Sequence, residues 1–230
     1  MSVVNYGLAG IVALFCGVDR TAFGQFMISR PIVAAPLAGW VLGQPLTGLQ
    51  IGSMLELLWI GRLPVGAAIP PDDTQVAVGA TAIAVIMGES LGLSGLAFSF
   101  LCLLVAMPLG KIGQLLDHGV RQWNRGLLVE AREAIAEGNP SRIELLHWRG
   151  WSHFALSAIA CYLTIVVIGS IVIQLVAPYL WGPTIAATSW LWLAFPLLGS
   201  AVLLTTINVR RSSFLFCMSF TTALLLLGLL

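Results

Sequence analysis

Apolar positions in this chain fall into runs of two kinds. Residues 74–88, 92–110, 152–177, 184–206 and 213–230 form continuous apolar segments near or above the length of ~17 to 25 residues that carries a helix across a hydrocarbon core of ~30 Å. These segments predict full-length spanning helices. The N-terminal third has a different texture. Its apolar runs, 3–18, 31–43 and 46–60, are short, and they are interrupted by DRTAFGQFMISR, by Gln44-Pro45, and by the Arg62 and Pro64 of GRLPVGAAIPPDD. Segments broken by Gly and Pro predict discontinuous or re-entrant helices. Such backbone is tolerated at membrane depth only where protein or a cavity surrounds it, because an unsatisfied amide in lipid costs several kcal/mol. Transport sites are built at such breaks.

One stretch is polar. Residues 111–150 carry 11 of the 21 charged side chains. Within them Leu127, Leu128, Ala131 and Ile135 recur at helical spacing, and residues 137–140 (Glu-Gly-Asn-Pro) stop one helix before another starts, with Ser141 as the expected cap. The prediction is a helical hairpin, either a solvated connector on the membrane surface or a docking surface for a soluble partner. The chain therefore divides into a membrane part at 1–110 that holds the broken helices, a polar connector at 111–150, and C-terminal membrane helices at 151–230. The connector contains six Lys and Arg residues, which marks it as cytoplasmic by the positive-inside rule. The basic Asn208-Val209-Arg210-Arg211 segment, two spans later, falls on the same side. A reporter domain inserted at Gly138 is expected to be active in the cytoplasm, and activity confined to the periplasm would reverse the topology.

Composition sharpens the class. Hydrophobic residues make up 58% and charged residues 9%, against about 45–50% and 25% in soluble domains, so there is too little charge for a soluble surface. The 8 Trp and 24 Gly suit membrane interfaces and transmembrane helices. A net charge of +1 argues against a nucleic-acid partner. Cys16, Cys102, Cys161 and Cys217 are dispersed in apolar stretches without metal-ligand spacing, and read as buried small hydrophobes. The N-terminus lacks a basic region and a small-residue cleavage site, so the first helix is expected to remain. No Walker A, HExxH or GxSxG motif is present, and His118, His147 and His153 form no acid/base or metal cluster. Neither an independent catalytic site nor a metal or other cofactor is expected.

The candidate chemistry lies in the broken segments. Glu56 sits among leucines in LTGLQIGSMLELLWIG, where a charge costs roughly 2.5–3.5 kcal/mol on insertion scales and must face a polar cavity or a partner. Arg62 or Arg30 would serve as a structural partner. Asp72 and Asp73 follow Pro70 and Pro71, which forbid regular helix just before them. The two acids can cap the helix that follows, and a helix start lining a cavity can also present a carboxylate to a ligand. Arg30 precedes Pro31 at a boundary, where it either snorkels or faces a cavity. Gln25 and Ser29 share its irregular stretch. Carboxylates, an amide and a guanidinium, with Trp40 or Trp59 nearby in sequence, suit a polyhydroxyl ligand if they converge. Gly39/Gly43, Gly48/Gly52 and Gly88/Gly92 are GxxxG pairs that allow close helix packing.

The stretch RPIVAAPLAGWVLGQPLTGLQIGSMLELLWIGRLPVGAAIPPDDTQVAVGATAI resembles the N-terminal signature of the IIC component of mannose/fructose/sorbose-type phosphotransferase (PTS) transporters. The successive RP, LEL, VGAA and PPD elements carry the likeness, which covers residues 19–90 most closely. It implies an all-α, multi-pass subunit of the bacterial inner (plasma) membrane that forms the sugar pathway with a second membrane subunit, IID. Cytoplasmic IIA and IIB would complete an oligomeric complex in which IIB phosphorylates the incoming sugar, leaving this chain without a phosphorylated residue. Glu56 and Asp72 match the family's LEL and PPD acids, and Arg30 matches its RP motif. The chain departs from the pattern at residues 27–29 (Met-Ile-Ser), where a Gln or His is usual, and at Gln44, often Asp. Two alternatives follow. One is a membrane scaffold or sensor that recruits a IIB-like regulator through residues 111–150; the other is an ion-coupled carrier working alone, which the resemblance disfavours.

Overall fold

The computed structural model describes residues 2–61, 69–206 and 211–229. Arg62, Pro64 and residues 65–68 and 208–210, singled out above, lie outside the described residues. The described chain forms α1 (Ser2–Asp19), α2 (Pro31–Val41), α3 (Pro45–Trp59), α4 (Asp73–Leu91), α5 (Gly95–Ala136), α6 (Pro140–Ala186), α7 (Thr188–Thr206) and α8 (Ser212–Leu229). Among the described residues, α4, α5 and α6 are long and apolar enough to cross a membrane. The protein is an all-α membrane protein, with its shortest helices where Pro and Gly interrupt the apolar pattern.

Local chemistry sets the breaks. Pro31 opens α2 and Pro45 opens α3, a position where the missing N–H removes a donor that has no intrahelical partner anyway. Between them Gly43 adopts φ +78°, which turns the chain back on itself. The GxxxG pairs therefore split into two functions. A Cβ on Gly39 would lie 2.7 Å from the Gln44 carbonyl oxygen, and one on Gly52 would lie 2.5 Å from that of Pro31. A Cβ on Gly48 would collide with the Ala35 carbonyl. These three glycines bring α2 and α3 into backbone contact, while Gly43 and the left-handed Gly92 end helices.

α4 is the central element. Its Val76, Ala77, Ala80 and Ile83 pack with Leu55, Leu101, Cys102 and Ile165, while Val78, Ala82 and Ile86 pack with Ala9, Ala13, Ala34 and Tyr162. A helix apolar on all sides is stable only when surrounded, and α4 separates the two clusters. Small residues again set the spacing, since a Cβ on Gly79 would meet Ile165 at 2.5 Å. Tyr162 ties α6 to α1 by donating to the Tyr6 carbonyl at 2.8 Å.

The polar hairpin is built from the long helices themselves. α5 has 42 residues and α6 has 47, about 63 Å and 70 Å at ~1.5 Å per residue. Positions 110 and 150 fall inside these helices, so the change in composition is not marked by a break in structure. The cap also differs from expectation: Asn139, not Ser141, accepts from the Arg142 N–H at 3.1 Å. Asn139→Ala is expected to destabilise the hairpin tip by about 1 kcal/mol, read as faster amide exchange in the first turn of α6. At the other end α6 runs on to Ala186 before α7 begins, so the apolar run 184–206 straddles two helices. Cys16, Cys102 and Cys161 are buried, whereas Cys217 on α8 is exposed, contrary to its reading as a buried hydrophobe. α8 packs against α7, and the Cys217 side chain lies on its uncovered surface.

Candidate functional site

The site is assembled where the short N-terminal helices meet the start of α4. Asp72 is the N-cap of α4, accepting from the Gln75 N–H at 3.0 Å, and the Asp73 side chain accepts from the Thr74 N–H at 3.0 Å. The capping role considered for these acids is therefore filled. It does not exhaust them, because Arg20, just past the end of α1, reaches Asp72 at 2.9 Å and Asp73 at 3.6 Å and donates to the Pro71 carbonyl at 3.2 Å. One guanidinium thus bridges both acids.

A second ion pair lies alongside. Arg30 Nε donates to Glu56 Oε1 at 2.8 Å, and its Nη2 makes a further short contact to the same oxygen. The other carboxylate oxygen, Oε2, accepts from the Ile32 N–H at 3.3 Å. Of the two partners considered for Glu56, the structure pairs it with Arg30. The hydrogen bond that Arg30 donates to the Glu56 carboxylate raises the Arg30 pKa above that of free arginine, against the opposing effect of burial.

Between the two pairs lies a cavity of about 140 Å³. Arg20, Ser29, Arg30, Glu56, Trp59 and Asp73 line it. Four of the ten residues on its wall are charged, in a protein whose core is apolar. Trp59, at the end of α3 and 8% exposed, supplies an indole edge or face to the same space. A paired carboxylate still has free lone pairs and a guanidinium still has free N–H groups, so the walls can accept from hydroxyls and donate to ring or hydroxyl oxygens. An aromatic surface beside polar groups suits a polyhydroxyl ligand that also has an apolar face.

The residues named from sequence separate here. Glu56, Arg30, Ser29 and Asp73 are brought together on one cavity. Asp72 does not line it and bears on it through Arg20. Gln25 is exposed, with its side chain turned to the Thr21 carbonyl of its own loop at 3.4 Å. Trp40 is 71% exposed and lies off the site. Arg20 escaped the sequence reading because a charged residue straight after an apolar run reads as the end of a helix, and nothing local indicates that it folds onto acids 52 and 53 positions later. Of the departures noted above, Met27 is exposed and Gln44 lines a different cavity, with Thr47 and Glu89. Ser29 alone lines this one.

The sequence and fold are those of a known family. Residues 3–229 match the family model described as the PTS system sorbose-specific IIC component. The mannose-specific EIIC component of Escherichia coli K12 is 32% identical over 140 residues, which cover 61% of this chain and 49% of that protein. The fructose permease IIC component of Bacillus subtilis is 31% identical over 147 residues, 64% of this chain and 51% of the relative. The aligned part thus spans about half the length of these curated relatives. Among solved structures, the chain superposes on one of the mannose transporter ManYZ with microcin E492, at a TM-score of 0.62 and 26% identity, over 97% of this chain and 87% of that one. A structure described as a membrane protein shares the fold at a TM-score of 0.68 and 24% identity, over 100% of this chain and 92% of that one. With the family pattern matched from the first helix to the last, the chain belongs to the sorbose-type, mannose-family IIC components of the phosphotransferase system.

Proposed function

We propose that this protein is the IIC subunit of a mannose-family sugar transporter in the bacterial inner membrane, and that it binds sugar in the cavity between the Arg30–Glu56 and Arg20–Asp73 pairs. The observation that carries the reading is the concentration of four charged side chains and Trp59 on one cavity, beside helices that stop short. Charge is costly within a membrane protein and is retained where a polar substrate passes. Glu56 and Asp73 accept hydrogen bonds from sugar hydroxyls, Arg20 and Arg30 donate to oxygens, and Trp59 packs on the ring. Asp72 holds Arg20 in place. This chain supplies binding and passage, and phosphorylation belongs to a IIB partner, with IIA upstream and IID beside this subunit. The likeness to a ManYZ structure supports a two-subunit membrane assembly.

Equilibrium binding of radiolabelled mannose, fructose and sorbose to the purified complex tests this reading. At least one sugar should bind saturably, with affinity falling about tenfold in Asp73→Asn, as expected for loss of one charged hydrogen bond of about 1.5 kcal/mol. A complex that binds none of them belongs instead to a scaffold or sensor that has kept the fold.

A further inference from the structure

We propose that Asp19 is a positioning residue for the sugar cavity: its buried carboxylate folds the loop from Arg20 to Arg30 into the shape that presents Ser29 and Arg30 to the ligand. The inference rests on the sugar-site reading for its consequence, and on geometry alone for its mechanism. Asp19 closes α1 and is 4% exposed. Its Oδ1 accepts from the Phe26 N–H at 2.7 Å and its Oδ2 from the Ser29 N–H at 3.2 Å. Both oxygens are therefore turned inward, onto the backbone of the loop.

That loop needs holding. Gln25 and Met27 adopt φ of 54° and 64°, in the left-handed region that residues other than glycine seldom occupy. Gly24, at φ +81°, takes the same region without strain. The side chains of Phe23, Phe26 and Met27 are exposed on this chain, so their packing against the rest of it does little to stabilise the conformation. Polar tethers replace it. Besides the two bonds to Asp19, Thr74 Oγ1 donates to the Ser29 carbonyl at 2.8 Å, and the Arg30 N–H donates to the Met27 carbonyl at 3.2 Å. Ser29 is thus gripped through its N–H by α1 and through its carbonyl by α4. Its neighbour Arg30 is aimed at Glu56 from that fixed point. Asp19 accepts two of these four bonds and binds the loop at both Phe26 and Ser29, which makes it the principal tether.

The test uses the full complex in a Cys217→Ser background, with Ile28→Cys as a reporter of loop opening by maleimide labelling. Asp19→Asn keeps the shape of the side chain but removes its charge and turns an N–H donor toward one of the two loop amides. It is expected to speed labelling at position 28 and to weaken sugar affinity by about tenfold or more each, with turnover at saturating sugar retained. A purely structural residue would lower abundance and turnover together and leave the affinity of the folded fraction unchanged. Adding Met27→Gly to Asp19→Asn is expected to restore part of the affinity, since glycine takes the required φ freely. Should Asp19→Asn fail to fold, Thr74→Val cuts the other grip on Ser29 and is expected to speed labelling in the same way. Unchanged labelling and unchanged affinity in folded Asp19→Asn, or unchanged labelling in Thr74→Val, would overturn the proposal. If the parent binds no sugar, the ligand site is refuted and labelling alone decides the role of Asp19 in shaping the loop.

Discussion

Glu56→Ala is expected to abolish saturable sugar binding, with a loss on the order of a hundredfold in affinity. The side chain removed is one wall of the cavity and the partner of Arg30. Two effects add. The ligand loses a charged acceptor, and Arg30 loses the group that orients it, so a second ligand contact goes with the first. Hydrogen bonds to charged groups contribute about 1.5–3 kcal/mol, and every ~1.4 kcal/mol is tenfold in affinity. The side chain of Arg30 is 42% exposed, so water can solvate the freed guanidinium and the protein should still fold. Glu56→Gln separates the contributions, since it keeps an acceptor and the volume but weakens the grip on Arg30. It should fall between wild type and alanine. The double variant Arg30→Ala/Glu56→Ala should lose much less than the sum of the single losses, because residues that act as one unit are not additive. Full sugar affinity in folded Glu56→Ala would remove the proposed site.

The second large effect is expected at a residue with no chemistry. Gly48→Leu should destabilise the protein by about 3 kcal/mol or more, the upper range for overpacking a filled core, and it should abolish binding as well. Any Cβ at position 48 meets the Ala35 carbonyl and the Pro36 backbone, and backbone cannot move aside as the end of a flexible side chain can. α2 and α3 would have to separate. Arg30 immediately precedes α2, and Glu56 lies two turns along α3 from Gly48, so the separation pulls apart the pair that forms the cavity wall. Gly43→Ala is the control. Nothing lies within 4 Å of its Cβ position, and its only difficulty is a φ of +78°. It should cost about 1–2 kcal/mol of backbone strain and leave sugar affinity near that of wild type. Thermal unfolding of the purified complex together with binding distinguishes these outcomes. A Gly48→Leu protein as stable as Gly43→Ala would show that α2 and α3 do not depend on close contact.

These two positions also show how far the sequence could be read. Gly39, Gly48 and Gly52 were visible as packing signals from their spacing alone, because a helix places every fourth residue on one face. The same spacing joined Gly39 to Gly43 and Gly88 to Gly92, where the second glycine instead ends a helix in the left-handed region. Periodicity cannot separate these uses, since a turn glycine and a contact glycine look alike until the next element is placed. Composition likewise does not locate the ends of the long helices: the polar stretch after position 110 reads as a helical hairpin, and charged residues with good helix propensity continue a helix as readily as apolar ones do, so α5 passes through the change unbroken. Ser141 lost the cap to Asn139 because Pro140 occupies the first helical position and shifts the boundary back by two residues.

What the sequence determined by itself is the class and the raw material. Run lengths and scarce charge require membrane helices, Pro and Gly interrupt them in the N-terminal third, and Glu56 among leucines demands a polar partner. Tertiary structure decided the pairings: Arg30 with Glu56, Arg20 with both Asp72 and Asp73, and Asp73 rather than Asp72 on the cavity. The reason is range. Whether a run is apolar depends on adjacent residues, whereas which arginine meets which carboxylate depends on how α1 to α4 pack, with glycine contacts between α2 and α3 and with the loop before Arg30 hydrogen-bonded to both Asp19 and Thr74.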